Sequence, residues 1–361
     1  MKKFIVGMLS IAVCVGLCGC DFWLDGSYYS YTPHSNDSVL VQEGSLEASS
    51  FQQIRNTLNA LVAEGQQEAV IRITDLSSEV LRNNMNNAIR YVMEQNPIGA
   101  YAVENITYEL GTSTGRDAVA VKITYSHSRS DILRIKKTSD MKEAAAVIGA
   151  ALENCDAGVV LRVSQFSEVD FVQMVEDYVS ANPHVCMEIP QVSVALYPEN
   201  GKDRVIELGF TYQNSREDLR QMQTYVEPVF VASDLNVQGE ESESAKFNRI
   251  FSFLMERNDY QIETSITPSY SLLRYGVGDS KAFATVYAAM CRRADLQCMV
   301  VTGTRAGVPW VWNIICQDGI YYHVDLLQSS GMRRLYTLDE ADMEGYVWDY
   351  SAYPASGTLS E

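Results

Sequence analysis

The chain has 361 residues and a formal charge of −18; 47% of it is apolar and 20% charged. That length and apolar share suffice for more than one packed core. The acidic excess argues against a nucleic-acid partner and against attraction to anionic lipid headgroups.

Residues 1–20 read as an export signal. Lys2-Lys3 is the basic start, and Phe4–Leu17 is an apolar run too short for a comfortable membrane span. It ends in Leu17-Cys18-Gly19-Cys20, which is similar to a bacterial lipoprotein cleavage box. The resemblance implies cleavage before Cys20 and diacylation of its thiol, with an ordinary secretory signal as the alternative. Removal of residues 1–19 deletes Lys2 and Lys3 and takes the charge from −18 to −20. Acyl chains rather than charge would then hold the protein at the membrane. Asp21 after the lipid-bearing cysteine points to the outer face of the bacterial cytoplasmic membrane. Residues 21–37, polar and rich in tyrosine, read as a tether. Of eight cysteines, Cys14, Cys18 and Cys20 fall in this leader. The remaining Cys155, Cys186, Cys291, Cys298 and Cys316 are odd in number and form no Cys-x-x-Cys pair, so they predict buried thiols rather than a disulfide framework or a zinc site.

An internal repeat follows. Arg90-Tyr91-Val92 through Asn96-Pro97 matches Asp177-Tyr178-Val179 through Asn182-Pro183, 87 residues on at the start and 86 at the end. Ile123-Thr124-Tyr125 with Arg129 and Asp131 matches Phe210-Thr211-Tyr212 with Arg216 and Asp218 87 residues on, and Val70–Ile73 matches Val160–Val163 90 residues on. Each copy predicts helix, strand, helix, strand, strand. The helices fall at Phe51–Ala63 and Ser78–Glu94, then Met141–Glu153 and Glu168–Ser180. The strands fall at Ala69–Thr74, Ala102–Leu110 and Val119–Tyr125, then Val159–Ser164, Val192–Tyr197 and Arg204–Tyr212. Two small α/β units result, over 38–139 and 140–231. Neither shows a catalytic cluster. His34, His127 and His184 are isolated, and Glu168, Asp170, Glu176 and Asp177 predict a solvated helix face. The shared Tyr-x-x-x-Arg-x-Asp predicts a turn into a helix started by serine and acid.

Ala232–Glu243 reads as a polar acidic link, and Ser244–Asn258 as an amphipathic helix with Phe247, Ile250, Phe251 and Leu254 in one stripe. Phe283, Val286, Tyr287 and Met290 mark a second helix, with Asp279 and Ser280 as candidate N-caps. Cys298–Thr304, Trp310–Cys316 and Ile320–Leu326 predict strands, and Asp318-Gly319 between the last two is a hairpin signal.

The stretch Gly278-Asp279-Ser280-Lys281-Ala282-Phe283-Ala284, Cys298 to Gly303, Trp310-Val311-Trp312-Asn313 and Asp318-Gly319-Ile320-Tyr321-Tyr322-His323-Val324-Asp325 resembles the core of the transglutaminase-like (papain-related) superfamily, in its bacterial surface-protein branch. The match runs over roughly Ser244–Gln328, and the domain over 244–353. The resemblance implies a papain-like domain with the nucleophile-position helix packed on an antiparallel sheet, and with the two tandem α/β repeats before it the chain is expected to be α+β. The family cysteine falls at Ser280, its histidine at Trp310 and its aspartate at Asp325. A helix N-terminus and a neighbouring histidine stabilise a thiolate; Ser280 lacks that acidity and needs a positioned base. The Trp310 indole N–H only donates, Asp325 is left without an imidazole to orient, and Asp279 sets a negative charge beside any nucleophile. The family chemistry is therefore not expected, and no catalytic residue, cofactor or metal is assigned.

Three functions compete. The first is a membrane-anchored, extracytoplasmic binding or scaffold module, a pseudoenzyme whose partner is a surface protein, a peptide or a cell-wall component. The second is a cell-surface hydrolase with Ser280 as nucleophile and His323 as base. The third is a purely structural surface protein. Cys291 as a replacement nucleophile is set aside, because it lies 11 residues along the helix from Ser280, about 16 Å by helical rise.

Overall fold

The computed structural model describes residues 46–359 apart from 114, 115, 241, 263, 264 and 333. The export signal, Cys20 and the tether of residues 21–37 lie outside the described residues. Among the described residues no helix is long and apolar enough to cross a membrane.

The chain opens with β1 (Leu46–Ala48), α1 (Phe51–Ala63), β2 (Glu68–Ile73), α2 (Ser78–Glu94), α3 (Pro97–Ala102), β3 (Val103–Ser113), β4 (Arg116–Tyr125) and α4 (Arg129–Arg134). It continues with β5 (Lys136–Asp140), α5 (Met141–Glu153), β6 (Gly158–Gln165), α6 (Phe171–Ala181), β7 (Gln191–Tyr197), β8 (Arg204–Thr211) and α7 (Arg216–Val237). The first sheet has the order β1-β2-β4-β3 and the second β5-β6-β8-β7. In each, the opening strand runs parallel to its neighbour and the other pairings are antiparallel. Arg72 pairs with Glu47 of β1 and Arg162 with Lys137 of β5, so the two arginines stand at matching places on the second strand of each sheet.

The opening strands were not expected. Leu46–Ala48 is three residues long and Lys136–Asp140 is polar, because both lie on a sheet edge with one side toward solvent. The second sheet therefore begins at Lys136, ahead of the boundary at 139/140. The shared serine and acid start helices as expected. Ser128 and Asp131 form a reciprocal capping box on α4, and Ser215 accepts from Asp218 N on α7. Ala232–Val237, expected in a link, instead completes α7. The reason is packing: Phe230, Ser233 and Val237 are buried there, in a core shared with Phe247 and Phe251.

The last part contains α8 (Glu243–Met255), β9 (Asp259–Tyr260), α9 (Pro268–Tyr275), β10 (Val277–Gly278), α10 (Ser280–Arg293), β11 (Cys298–Arg305), β12 (Val308–Gln317), β13 (Ile320–Val324), α11 (Leu326–Ser330) and β14 (Tyr346–Trp348). Its sheet has the order β13-β12-β11-β14, antiparallel throughout. The turn between β12 and β13 is Asp318-Gly319, both with positive φ, as the Asp-Gly signal requires. Helix α10 is buried on nearly all sides. It packs on β11 and β12 and against α7, α8 and α9. Burying Phe283, Val286, Tyr287 and Met290 contributes roughly 1.5–3 kcal/mol each. Its C-terminus is tied down by Arg293, which reaches Asp234 and Glu227 of α7, and by Arg292, which donates to the Ala181 carbonyl. The five cysteines of the described residues are buried and unpaired. The aromatic tail adds β14 as the sheet's fourth strand, and Gly303 on β11 lets it approach: a Cβ there would stand 2.2 Å from the Val347 carbonyl.

Candidate functional site

Helix α10 begins at the site. Asp279 is its N-cap, accepting from Ala282 N at 2.9 Å, so that carboxylate caps the helix start. Ser280 follows in the first turn, 8% exposed. Strand β13 stops at Val324, opposite Asn313, which leaves the edge of β12 open beyond that point. There the Val311 N–H donates to Ser280 Oγ at 3.2 Å. The serine hydroxyl is thus held by backbone, and among the described residues no side-chain base bonds to it.

Trp310 and Asp325 meet at the same end of the sheet. The Trp310 indole N–H donates to Asp325 Oδ2 at 2.8 Å. Asp325, 2% exposed, is also the N-cap of α11, and its Oδ1 accepts from Leu327 N at 3.0 Å and Gln328 N at 3.2 Å. Two further donors converge on Oδ2: the Tyr346 hydroxyl at 2.6 Å and Arg305 Nη1 at 3.2 Å. The Arg305 guanidinium stands 5.4 Å from the Trp310 ring centre and 5.3 Å from that of Tyr346, within cation–π range of both. Burial first, and then the hydrogen bond to Asp325, push the Tyr346 phenol above its usual range. The carboxylate is therefore saturated by donors that cannot take a proton from Ser280. Tyr260 of β9 lies over Trp310 with ring centres 5.6 Å apart.

The sequence positions Ser280, Trp310 and Asp325 are brought together at one end of the domain. His323 is not part of that group. It pairs with Ile314, and cross-strand partners share a face. Ile314 belongs to the cluster of Val301, Trp312 and Trp348, whereas Ile315 and Val324 pack with α10. His323 therefore faces away from Ser280, across the sheet. Its Nδ1 accepts from the Trp312 indole N–H at 3.0 Å, and its ring meets Trp348 edge-on at 4.8 Å. Burial lowers its pKa and favours the neutral ring that this bond needs. The other two histidines of the described residues are also engaged elsewhere, His127 stacked on Tyr101 and His184 against Phe230.

Three contributors were not read from the sequence. Arg305 and Tyr346 complete the shell of Asp325, yet they lie 20 residues before and 21 after it, joined only by the β11–β14 pairing. Asn313, fully buried, donates to the Ala284 carbonyl of α10 at 2.9 Å and to the Met299 carbonyl at 3.1 Å, fastening the helix to the sheet. A lone amide inside the apolar run Trp310–Cys316 was the available signal for it.

Comparison with known proteins bears on the domain as a whole. Residues 231–326 match the Transglutaminase-like superfamily. No match is found among curated proteins. Among solved structures, a TGase is similar at 14% identity with a TM-score of 0.27, covering 47% of this chain and 50% of that one. A protein from Cytophaga hutchinsonii, provisionally assigned as a cysteine protease, is similar at 11% identity with a TM-score of 0.26, covering 44% of this chain and 70% of that one. This chain thus spans half the length of the first. The superfamily match, rather than either overlay, carries the assignment.

Proposed function

Because residues 231–326 form a transglutaminase-like domain, we propose that it serves as a non-catalytic binding module. In this reading a lipid on Cys20 holds the chain at the outer face of the cytoplasmic membrane. The observation that carries the reading is the bond from the Trp310 indole to Asp325. Trp310 stands where the superfamily resemblance places a base, and its only polar atom is a donor directed at the carboxylate. A serine hydroxyl is a weak nucleophile until a base removes its proton. Ser280 has instead the Val311 N–H as its partner. The partner in this reading is a surface protein, a peptide or a cell-wall component.

The test is a set of assays on the purified full chain: cross-linking and deamidation of glutamine peptides, and cleavage of peptides. The expected result is no turnover above that of Ser280→Ala. A turnover lost specifically in Ser280→Ala overturns the proposal and favours a serine hydrolase.

A further inference from the structure

A second candidate site lies away from Ser280, at the C-terminal ends of α8 and α9. A cleft of about 470 Å³ opens there between these two helices and α7. Its apolar wall includes Val229, Phe253, Leu254 and Leu273, and among the described residues no carboxylate lines it. Two arginines do, Arg257 and Arg274. In a chain with 46 acidic residues against 28 basic ones, two cations without an acid in one cleft are the reverse of the surrounding surface.

Neither arginine is ion-paired among the described residues. Both stand within cation–π range of an aromatic ring. Arg257 lies over the Phe253 ring at 4.1 Å and Arg274 over the Tyr225 ring at 4.4 Å. Stacking leaves the N–H edges of a guanidinium available. Arg257 donates one of its own to the Phe253 carbonyl at 3.0 Å, and Arg274 lies beside the Tyr270 hydroxyl. The remaining N–H groups have the fork geometry that takes a carboxylate by two parallel bonds. The two segments are also joined by backbone. Asp259 N donates to the Gly276 carbonyl at 2.7 Å, and β9 and β10 pair directly after the arginines. Gly276 has a φ of +77° and so closes α9 in the left-handed conformation, and a Cβ there would press on the Arg257 carbonyl at 3.2 Å. The geometry is set before any ligand arrives, which lowers the ordering cost of binding.

We infer that this cleft binds a small organic carboxylate with an apolar body, its anion held by Arg257 and Arg274 and its body against Pro228, Val229 and Leu273. The volume is within the ordinary range for small-ligand sites. The inference is independent of whether Ser280 carries chemistry. The carboxylate can belong to a peptide C-terminus or to a free fatty acid, and both offer the same group.

The test is calorimetric titration of the full chain with N-acetyl-leucyl-leucine, its C-terminal amide, and octanoate. Binding of at least one acid, with the amide weaker by about tenfold or more, is expected from the loss of charge-assisted bonds. The better of the two acids identifies the source. Arg274→Gln should weaken the acid to a similar degree, and Arg274→Lys should recover part of the loss by restoring the charge. Thermal melts of both variants guard against misfolding. Absence of binding by both acids, equal binding of acid and amide, or full affinity in a folded Arg257→Gln/Arg274→Gln variant each overturns the inference.

Discussion

Replacing Asp325 by asparagine tests whether the buried carboxylate is the keystone of the site. Five donors converge on it: two backbone N–H groups on Oδ1, and Trp310, Tyr346 and Arg305 on Oδ2. The helix-cap pair is fixed by backbone, so an asparagine keeps its carbonyl there and turns its NH2 toward the other three. The Tyr346 hydroxyl can rotate and accept. Trp310 and Arg305 cannot, because both only donate. The Trp310 indole is half-buried, so leaving its N–H without a partner costs about 1 kcal/mol, the low end for an unsatisfied donor, and losing the charge weakens the remaining bonds. The Arg305 side chain is 37% exposed and can turn to water, so its share is discounted. The sum is a loss of about 2–4 kcal/mol. Urea unfolding of the full chain followed by tryptophan emission measures it, since Trp310, Trp312 and Trp348 all lie in this domain and Trp23 alone lies outside it. With an ordinary urea dependence the midpoint falls by about 1–2 M. A cycle with Trp310→Phe should show coupling of about 1 kcal/mol, because asparagine no longer faces the indole. An Asp325→Asn midpoint indistinguishable from wild type, or strict additivity with Trp310→Phe, would refute the reasoning.

Two further predictions follow from single residues. Burial lowers the pKa of His323 from its ordinary 6.5, so the folded chain binds fewer protons there than the unfolded chain. Its contribution is complete above pH 6.5 and is lost as pH falls through the depressed folded value. His323→Phe should therefore flatten the decline of stability between about pH 7 and 5, read by urea titrations at each pH; parallel curves for the two proteins would count against it. The lipid proposal is checked by metabolic labelling with a palmitate analogue: wild type should take up label and Cys20→Ala should not, and equal labelling would remove the lipid anchor.

Several elements were legible in the sequence because their signals are local. The serine-and-acid starts of α4 and α7 need only four consecutive positions. Helices α1, α2 and α5 were set by apolar spacing and by serine or aspartate caps at their first turns. The Asp318-Gly319 hairpin was set by a dipeptide suited to two residues of positive φ. The nearness of Trp310 and Asp325 also followed from spacing, since a tight hairpin brings residues 15 apart to neighbouring strand ends, whereas Ser280 was joined to them by the family resemblance.

What the sequence could not disclose depended on contacts between distant segments. The edge strands β1 and β5 have little apolar pattern, because a parallel neighbour rather than their own side chains holds them. Val237 ended α7 inside the domain core, although its surroundings in sequence are polar. The face of His323 was decided by register, since a shift of one residue along β13 would have turned it toward α10. The partners of Asp325 were decided by β14, a three-residue strand that brings Tyr346 to Arg305. Local propensity is carried by neighbours in the chain and can be read there. The protonation of a buried histidine, the saturation of a carboxylate and the pairing of two arginines in a cleft are carried by neighbours in space, which exist only once the sheet has closed.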